Sequence, residues 1–167
     1  MPFSAWLPAA IAAPTPVRAL VHSSTLVTAG VYLIFRLSSL FPGTSTSAVL
    51  LVVGTLTMFL AGLSAIKEID LKKIVALSTL RQLGLIFSCL GISCGDVTYF
   101  HILTHAFIKA LLFITVGNII HNSSDYQDIR KSSSLISHLP ISSRFIVISN
   151  MGLCGLPFMS GFYSKDI

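Results

Sequence analysis

Read along its length, the chain alternates long apolar runs with short polar interruptions. The runs over 17–37, 47–66, 74–94, 98–121 and 141–159 each approach the roughly 20 apolar residues that a bilayer-crossing helix needs. The pattern predicts five spans. Residues 1–16 are too short to cross, and Pro2, Pro8, Pro14 and Pro16 divide them into a half-helix and a turn. "SLFPGTSTS" (39–47) reads as a turn around Pro42 and Gly43, and Asp70 before "LKKIVALSTL" reads as a helix N-cap. The polar stretch 122–140 is the one long connection, and Pro140 prepares the next helix. With no linker and no internal repeat, the expectation is an all-α, polytopic transmembrane helix bundle forming a single domain over 1–167.

Polar residues inside these spans are the informative exceptions. His101, His105 and Lys109 are spaced by four in "HILTHAFIKALLF", so on a helix they lie within roughly 80° of one another and climb about 12 Å. They form one polar stripe. Placing a single ionisable group at the bilayer centre costs about 2.5–3.5 kcal/mol on insertion scales, so the stripe is expected to face protein or water and to serve as a proton relay. A set of packing histidines with a snorkelling lysine is the plainer alternative, although Lys109 sits too near mid-span to reach an interface easily. Two histidines four apart also fit a shared zinc ion, but the helix offers no acidic third ligand and Lys109 opposes a divalent cation.

Other polar positions are read the same way. His22 lies one turn into the first span, followed by the small and hydroxylated "SSTLVTAG", which permits close helix packing. Arg81 in "STLRQLG" is mid-span and demands a partner or an aqueous path. Lys165 and Asp166 follow "GLPFMSGFYS", where Pro157 with Gly155 and Gly161 marks a helix break; a break frees backbone groups that need a polar cavity.

Composition narrows the class. Hydrophobic residues make up 53% of the 167 and charged residues only 10%, against roughly 25% charged in soluble domains. The net charge of +5 comes from basic residues scattered singly or in pairs, which is no nucleic-acid surface. Cys89, Cys94 and Cys154 have neither an even count nor metal-ligand spacing, so no disulfide framework or redox centre is expected. Five crossings place Arg18, Lys67, Lys72, Lys73, Arg130, Lys131 and Arg144 on one side and Arg36 on the other, which marks the first side as cytoplasmic or matrix.

"WLPAAIAAPTPVRALVHSSTLVTAGVYLI", "DLKKIVALSTLRQLGL", "FHILTHAFIKALLF", "QDIRK" and "GFYSKD" together resemble the subunit 5 family of mitochondrial respiratory NADH:ubiquinone oxidoreductase (complex I), and more distantly the subunits of sodium/proton antiporters. The resemblance covers essentially the whole chain. It implies an antiporter-like fold of inverted helical repeats in the mitochondrial inner membrane, lipid and other membrane-arm subunits as partners, no cofactor in this chain, and proton translocation coupled to electron transfer elsewhere. It also implies roles: His22 as a link between half-channels, His101, His105 and Lys109 as the central relay, Lys165 with Asp166 as the distal site, and Asp70 with Lys72 as a polar pair near the proton intake. The family's "AMEGPTP" is here "AIAAPTP", and "FFKA" is "FIKA". The first broken helix and the lateral helix of the family would fall outside these residues, so the chain reads as the middle of a longer subunit. A sodium/proton antiporter subunit and a passive structural bundle are the alternatives.

Overall fold

The computed structural model describes residues 26–38, 44–123, 126–131 and 139–165. Six α-helices lie among them: α1 (Leu26–Arg36), α2 (Ser45–Lys67), α3 (Leu71–Gly91), α4 (Gly95–Asn122), α5 (Pro140–Cys154) and α6 (Ser160–Lys165). A 3-10 turn, Ile129–Lys131, lies in the connection from α4 to α5. Among the described residues α2, α3 and α4 are long and apolar enough to cross a membrane. Their bounds lie close to the expected 47–66, 74–94 and 98–121. The fifth expected span, 141–159, is not one helix: α5 stops at Cys154, with Gly155 at φ 78° in the left-handed region that glycine enters without strain. Of the first expected span, 17–37, only 26–37 is described, and the expected half-helix over 1–16, with His22, lies outside the described residues.

Small residues decide how α2 and α3 meet. A Cβ added to Gly54 would lie 2.7 Å from the Ser88 amide nitrogen and 2.8 Å from Gly84 O, and one added to Gly84 would lie 2.7 Å from Gly54 O. The two backbones therefore touch where no side chain fits, the close approach that small residues permit between membrane helices. Gly91 repeats the contact against Leu51 and Ser47 one heptad further along. The opposite face of α2 carries Val49, Val53, Phe59 and Ile66, each more than half exposed. In a bilayer that face meets lipid tails, at which large apolar side chains are at home.

Helices α3 and α4 form the centre, and their apolar residues gather in two separate clusters. At one end Val31, Leu83, Ile86, Leu90 and Ile102 pack together. At the other, Val75, Leu112, Phe113, Val116 and Ile120 pack with Leu71, Ile146 and Leu153. Between them, on both helices, the buried residues turn polar: Thr79 and Gln82 on α3, His101, His105 and Lys109 on α4. The hydrocarbon core of the bundle is thus split by a polar layer.

The loops at the second cluster's end are tied to each other. Leu71 N–H donates to Gln127 O and Ile129 N–H to Ile69 O, making an isolated antiparallel bridge between Asp70 and Asp128. This brings Lys67, Lys73 and Arg130 to one end of the bundle. Arg36 is at the other, where Phe35 stacks on Tyr99 at 5.6 Å near the start of α4. That division agrees with the charge asymmetry expected from sequence.

Candidate functional site

Helical spacing carries His101, His105 and Lys109 to the inner face of α4, where they are 4%, 2% and 0% exposed. Lys109 is the largest fully buried side chain among the described residues. Its Nζ donates to Ser78 Oγ on α3 at 2.5 Å, and Ser78 in turn donates to Val75 O at 2.7 Å. The ammonium therefore does not snorkel to an interface. It is held at mid-height by a hydroxyl that uses its own proton elsewhere and presents a lone pair.

His105 and His101 follow about one and two turns away, their ring centroids 6.1 Å apart. His101 Nδ1 shares a hydrogen bond of 2.9 Å with Ser164 Oγ on α6, and that hydroxyl also lies 3.3 Å from Gly161 O. A serine so placed has two states. It donates to the carbonyl and accepts from Nδ1–H, or it turns and donates to the imidazole. His101 Nε2, both ring nitrogens of His105 and Gln82 Oε1 are buried without a protein partner among the described residues.

The broken helix brings in Lys165. Gly161 lies directly against Gly152, with no room for a Cβ, so α6 crosses the end of α5 at close range. Lys165 Nζ reaches back to donate to Leu153 O, in the last turn of α5. A helix C-terminus leaves carbonyls without intrahelical donors and carries partial negative charge, so a lysine there is favoured on both counts. Lys165 and Ser164 are consecutive, so α6 alone joins the cap on α5 to the histidine on α4.

Arg81 faces two cavities. One, of about 400 Å³, is lined by Met58, Phe59, Leu85, Gln82 and Lys165 besides Arg81 itself; the other, of about 550 Å³, extends past Ser78, Asn150 and Cys154. Arg81 is exposed and forms no ion pair with a carboxylate among the described residues. Both cavities open on the side of the bundle, with Arg81 between them.

Asp70 stands where the sequence places it, at the start of α3. It occupies the N-cap of α3, but its side chain makes no capping hydrogen bond. It pairs with Lys73, 2.9 Å away, while Glu68 lies 3.8 Å from the same ammonium. Lys72, which the resemblance implies as the other member of a polar pair with Asp70, is the next residue before Lys73. Lys73 reaches Asp70 because residues three apart share a helix face. The Lys73 hydrogen bond holds the Asp70 carboxyl below its ordinary range. This cluster belongs to the end of the bundle, away from the mid-height polar layer. Asp166 lies outside the described residues.

Sequence reasoning missed Ser78, Gln82 and Ser164. Each stands in a motif already quoted, "STLRQLG" or "GFYSKD", yet serine and glutamine are ordinary in such helices and only the fold brings them to the stripe.

The sequence pattern of the NADH:quinone oxidoreductase/Mrp antiporter transmembrane family matches residues 1–167. The chain is 56% identical over 167 residues to NADH-ubiquinone oxidoreductase chain 5 of Locusta migratoria, matching 100% of this chain and 29% of the relative. It is 57% identical to the chain of that name from Aedes aegypti, again over 29% of the relative. The Anopheles arabiensis chain of the same name is 56% identical, with 44% of its length covered. The chain thus spans less than half the length of these relatives. Among solved structures it is similar to a chain of the membrane-bound sulfane sulfur reductase, an archaeal respiratory membrane complex, with a TM-score of 0.84 and 29% identity over 99% of this chain and 35% of that one.

Proposed function

Since the chain belongs to the NADH:quinone oxidoreductase/Mrp antiporter membrane family, we propose that it is part of a proton-translocating subunit of respiratory NADH:ubiquinone oxidoreductase, and that its buried histidine and lysine stripe carries the protons. The chain is a multi-pass protein of the mitochondrial inner membrane. Its proposed partners are the other membrane-arm subunits, with electron transfer taking place elsewhere in the complex.

The single observation that carries this reading is the polar layer between the two apolar clusters. In it Lys109, His105, His101, Ser164 and Lys165 follow one another from α4 to α6. Each group can hold or pass a proton. Lys109 stores one against Ser78 Oγ; the Ser164 hydroxyl exchanges one with His101 Nδ1 across 2.9 Å; Lys165 holds one against the α5 carbonyl end. Two ammonium groups close together in a low-dielectric interior repel strongly, so loading one lysine favours release from the other. An electrostatic change reaching either lysine from the redox part of the complex would then move charge along the stripe.

The antiporter reading differs in the ion. Sodium is held by oxygen ligands, carboxylates above all, whereas the layer offers imidazoles, ammonium groups and hydroxyls, and the described acidic residues lie at helix ends or in loops. This favours the proton. The test is Lys109→Ala in the complete complex, reconstituted in sealed vesicles. Fewer protons moved per NADH oxidised, in an assembled complex and independent of sodium, is the expected result. Unchanged pumping would overturn the reading.

A further inference from the structure

The Ser78–Lys109 hydrogen bond fixes the register of the antiparallel pair α3 and α4. One turn further, Gln82 on α3 comes level with His105 on α4; one turn beyond that, α3 becomes apolar at Ile86. Gln82 is therefore the last polar side chain that α3 offers to the stripe. It is 3% exposed, and its Oε1 has no protein partner, as neither ring nitrogen of His105 has. The neighbouring hydroxyls already use their protons on their own helices: Ser78 donates to Val75 O at 2.7 Å and Thr79 to Ala76 O at 2.6 Å. Ser78 Oγ also accepts from Lys109 Nζ, and Gln82 Oε1 is a buried acceptor at this level with no protein partner among the described residues.

We propose that Gln82 is a positioning residue for His105, its Oε1 accepting the imidazole N–H through one bridging water. Buried polar groups are satisfied by protein or ordered water, and no direct hydrogen bond joins Gln82 Oε1 to His105. In this arrangement the water donates one hydrogen to the amide oxygen, which only accepts, and takes the imidazole N–H on a lone pair, so the N–H side of the ring is held toward α3. The other nitrogen is then left bare as a proton acceptor on the stripe. The ionisable groups close to that ring are Lys109 and His101 on α4 and Lys165 on α6, all basic. None of them supplies an acceptor when charged, which makes the amide the orienting element. Gln82 also lines the 400 Å³ cavity beside Lys165 and Arg81, which gives a water a route to this level.

This inference rests on the relay reading, and the experiment separates the two. In the intact complex in sealed vesicles, Gln82→Met keeps the side-chain length and removes the amide oxygen, whereas Gln82→Asn keeps an amide oxygen with room for a second water. Protons moved per NADH oxidised are measured from pH 6 to 9, beside Lys109→Ala. The methionine variant is expected to lose about fivefold in pumping, the factor tied to one hydrogen bond, with its pH profile displaced and with the asparagine variant close to the parent. Normal pumping by Gln82→Met beside a defective Lys109→Ala overturns the role of Gln82 and leaves the relay standing. Normal pumping by both overturns the relay as well. A uniform fall at every pH that asparagine fails to restore marks Gln82 as a packing residue and overturns the proposal. If the methionine variant does not assemble, Gln82→Leu takes its place under the same criteria.

Discussion

Lys165 donates to the carbonyl of Leu153, so the ammonium of one half of a broken helix closes the backbone of the other. Removing it leaves the carbonyl end of α5 without its cation. Lys165→Met is expected to cost on the order of 1.5–3 kcal/mol locally, the range for hydrogen bonds to charged groups. The measurement is amide exchange in the complete complex: Leu156, whose N–H bonds Met151 O at 3.4 Å beside the break, should exchange faster, while amides in the middle of α3 keep their rates.

Ser78 serves Lys109 as an acceptor at 2.5 Å. Ser78→Ala leaves a fully buried ammonium without that lone pair, at a cost of about 1–3 kcal/mol or more for a charged group. The thermal unfolding midpoint of the assembled complex should fall, and Ser78→Thr, which restores a hydroxyl, should recover most of the loss. Equal midpoints for the alanine variant and the parent would contradict the assignment.

The α2–α3 contact predicts an ordering among glycines. At Gly84 an added Cβ lies 2.7 Å from backbone atoms of α2, whereas at Gly30 nothing lies within 4 Å. Gly84→Ala is expected to destabilise by about 1–3 kcal/mol through overpacking. Gly30→Ala, on a helix, is expected to be neutral or to stabilise by up to about 1 kcal/mol. Assembled yield and unfolding midpoint of the two variants decide this; the reverse order would refute the close approach.

Asp70 supplies a pH dependence with a defined sign. Its folded-state pKa lies below the ordinary 3.8 because Lys73 hydrogen-bonds it. A depressed carboxyl binds fewer protons folded than unfolded, so its contribution is complete above the unfolded value and is lost as pH falls through the folded one. The pair is solvent-exposed, so the effect is small and screened by salt. Exchange at the Leu71 and Ile129 amides, which form the adjacent bridge, should quicken more steeply below pH 4 in the parent than in Asp70→Asn, once intrinsic rates are divided out.

How much of this was readable from residues alone depended on range in the chain. The membrane helices follow from hydropathy, and the His101, His105 and Lys109 stripe from a four-residue spacing that only a helix puts in line. The break after Cys154 follows from Gly155 and Pro157. Contacts between distant positions did not follow. Ser164 meets His101 across 63 residues and Lys109 meets Ser78 across 31, and nothing in local periodicity signals either. The start of α3 was also local: Asp70 before the apolar run marks the N-cap, and the helix begins at Leu71.

The interlocked glycines also bear on how the chain enters its membrane. Helices α2 and α3 are joined by only Glu68, Ile69 and Asp70, and their contact at Gly54 and Gly84 needs nothing from later residues. The pair can thus be inserted as a finished hairpin before α4 leaves the ribosome. When His101, His105 and Lys109 arrive, Ser78, Thr79 and Gln82 are already presented at the matching depth. The helix with the buried ionisable stripe then partitions against a prepared protein wall and not into bare lipid, which lowers the barrier that three ionisable side chains impose on its insertion.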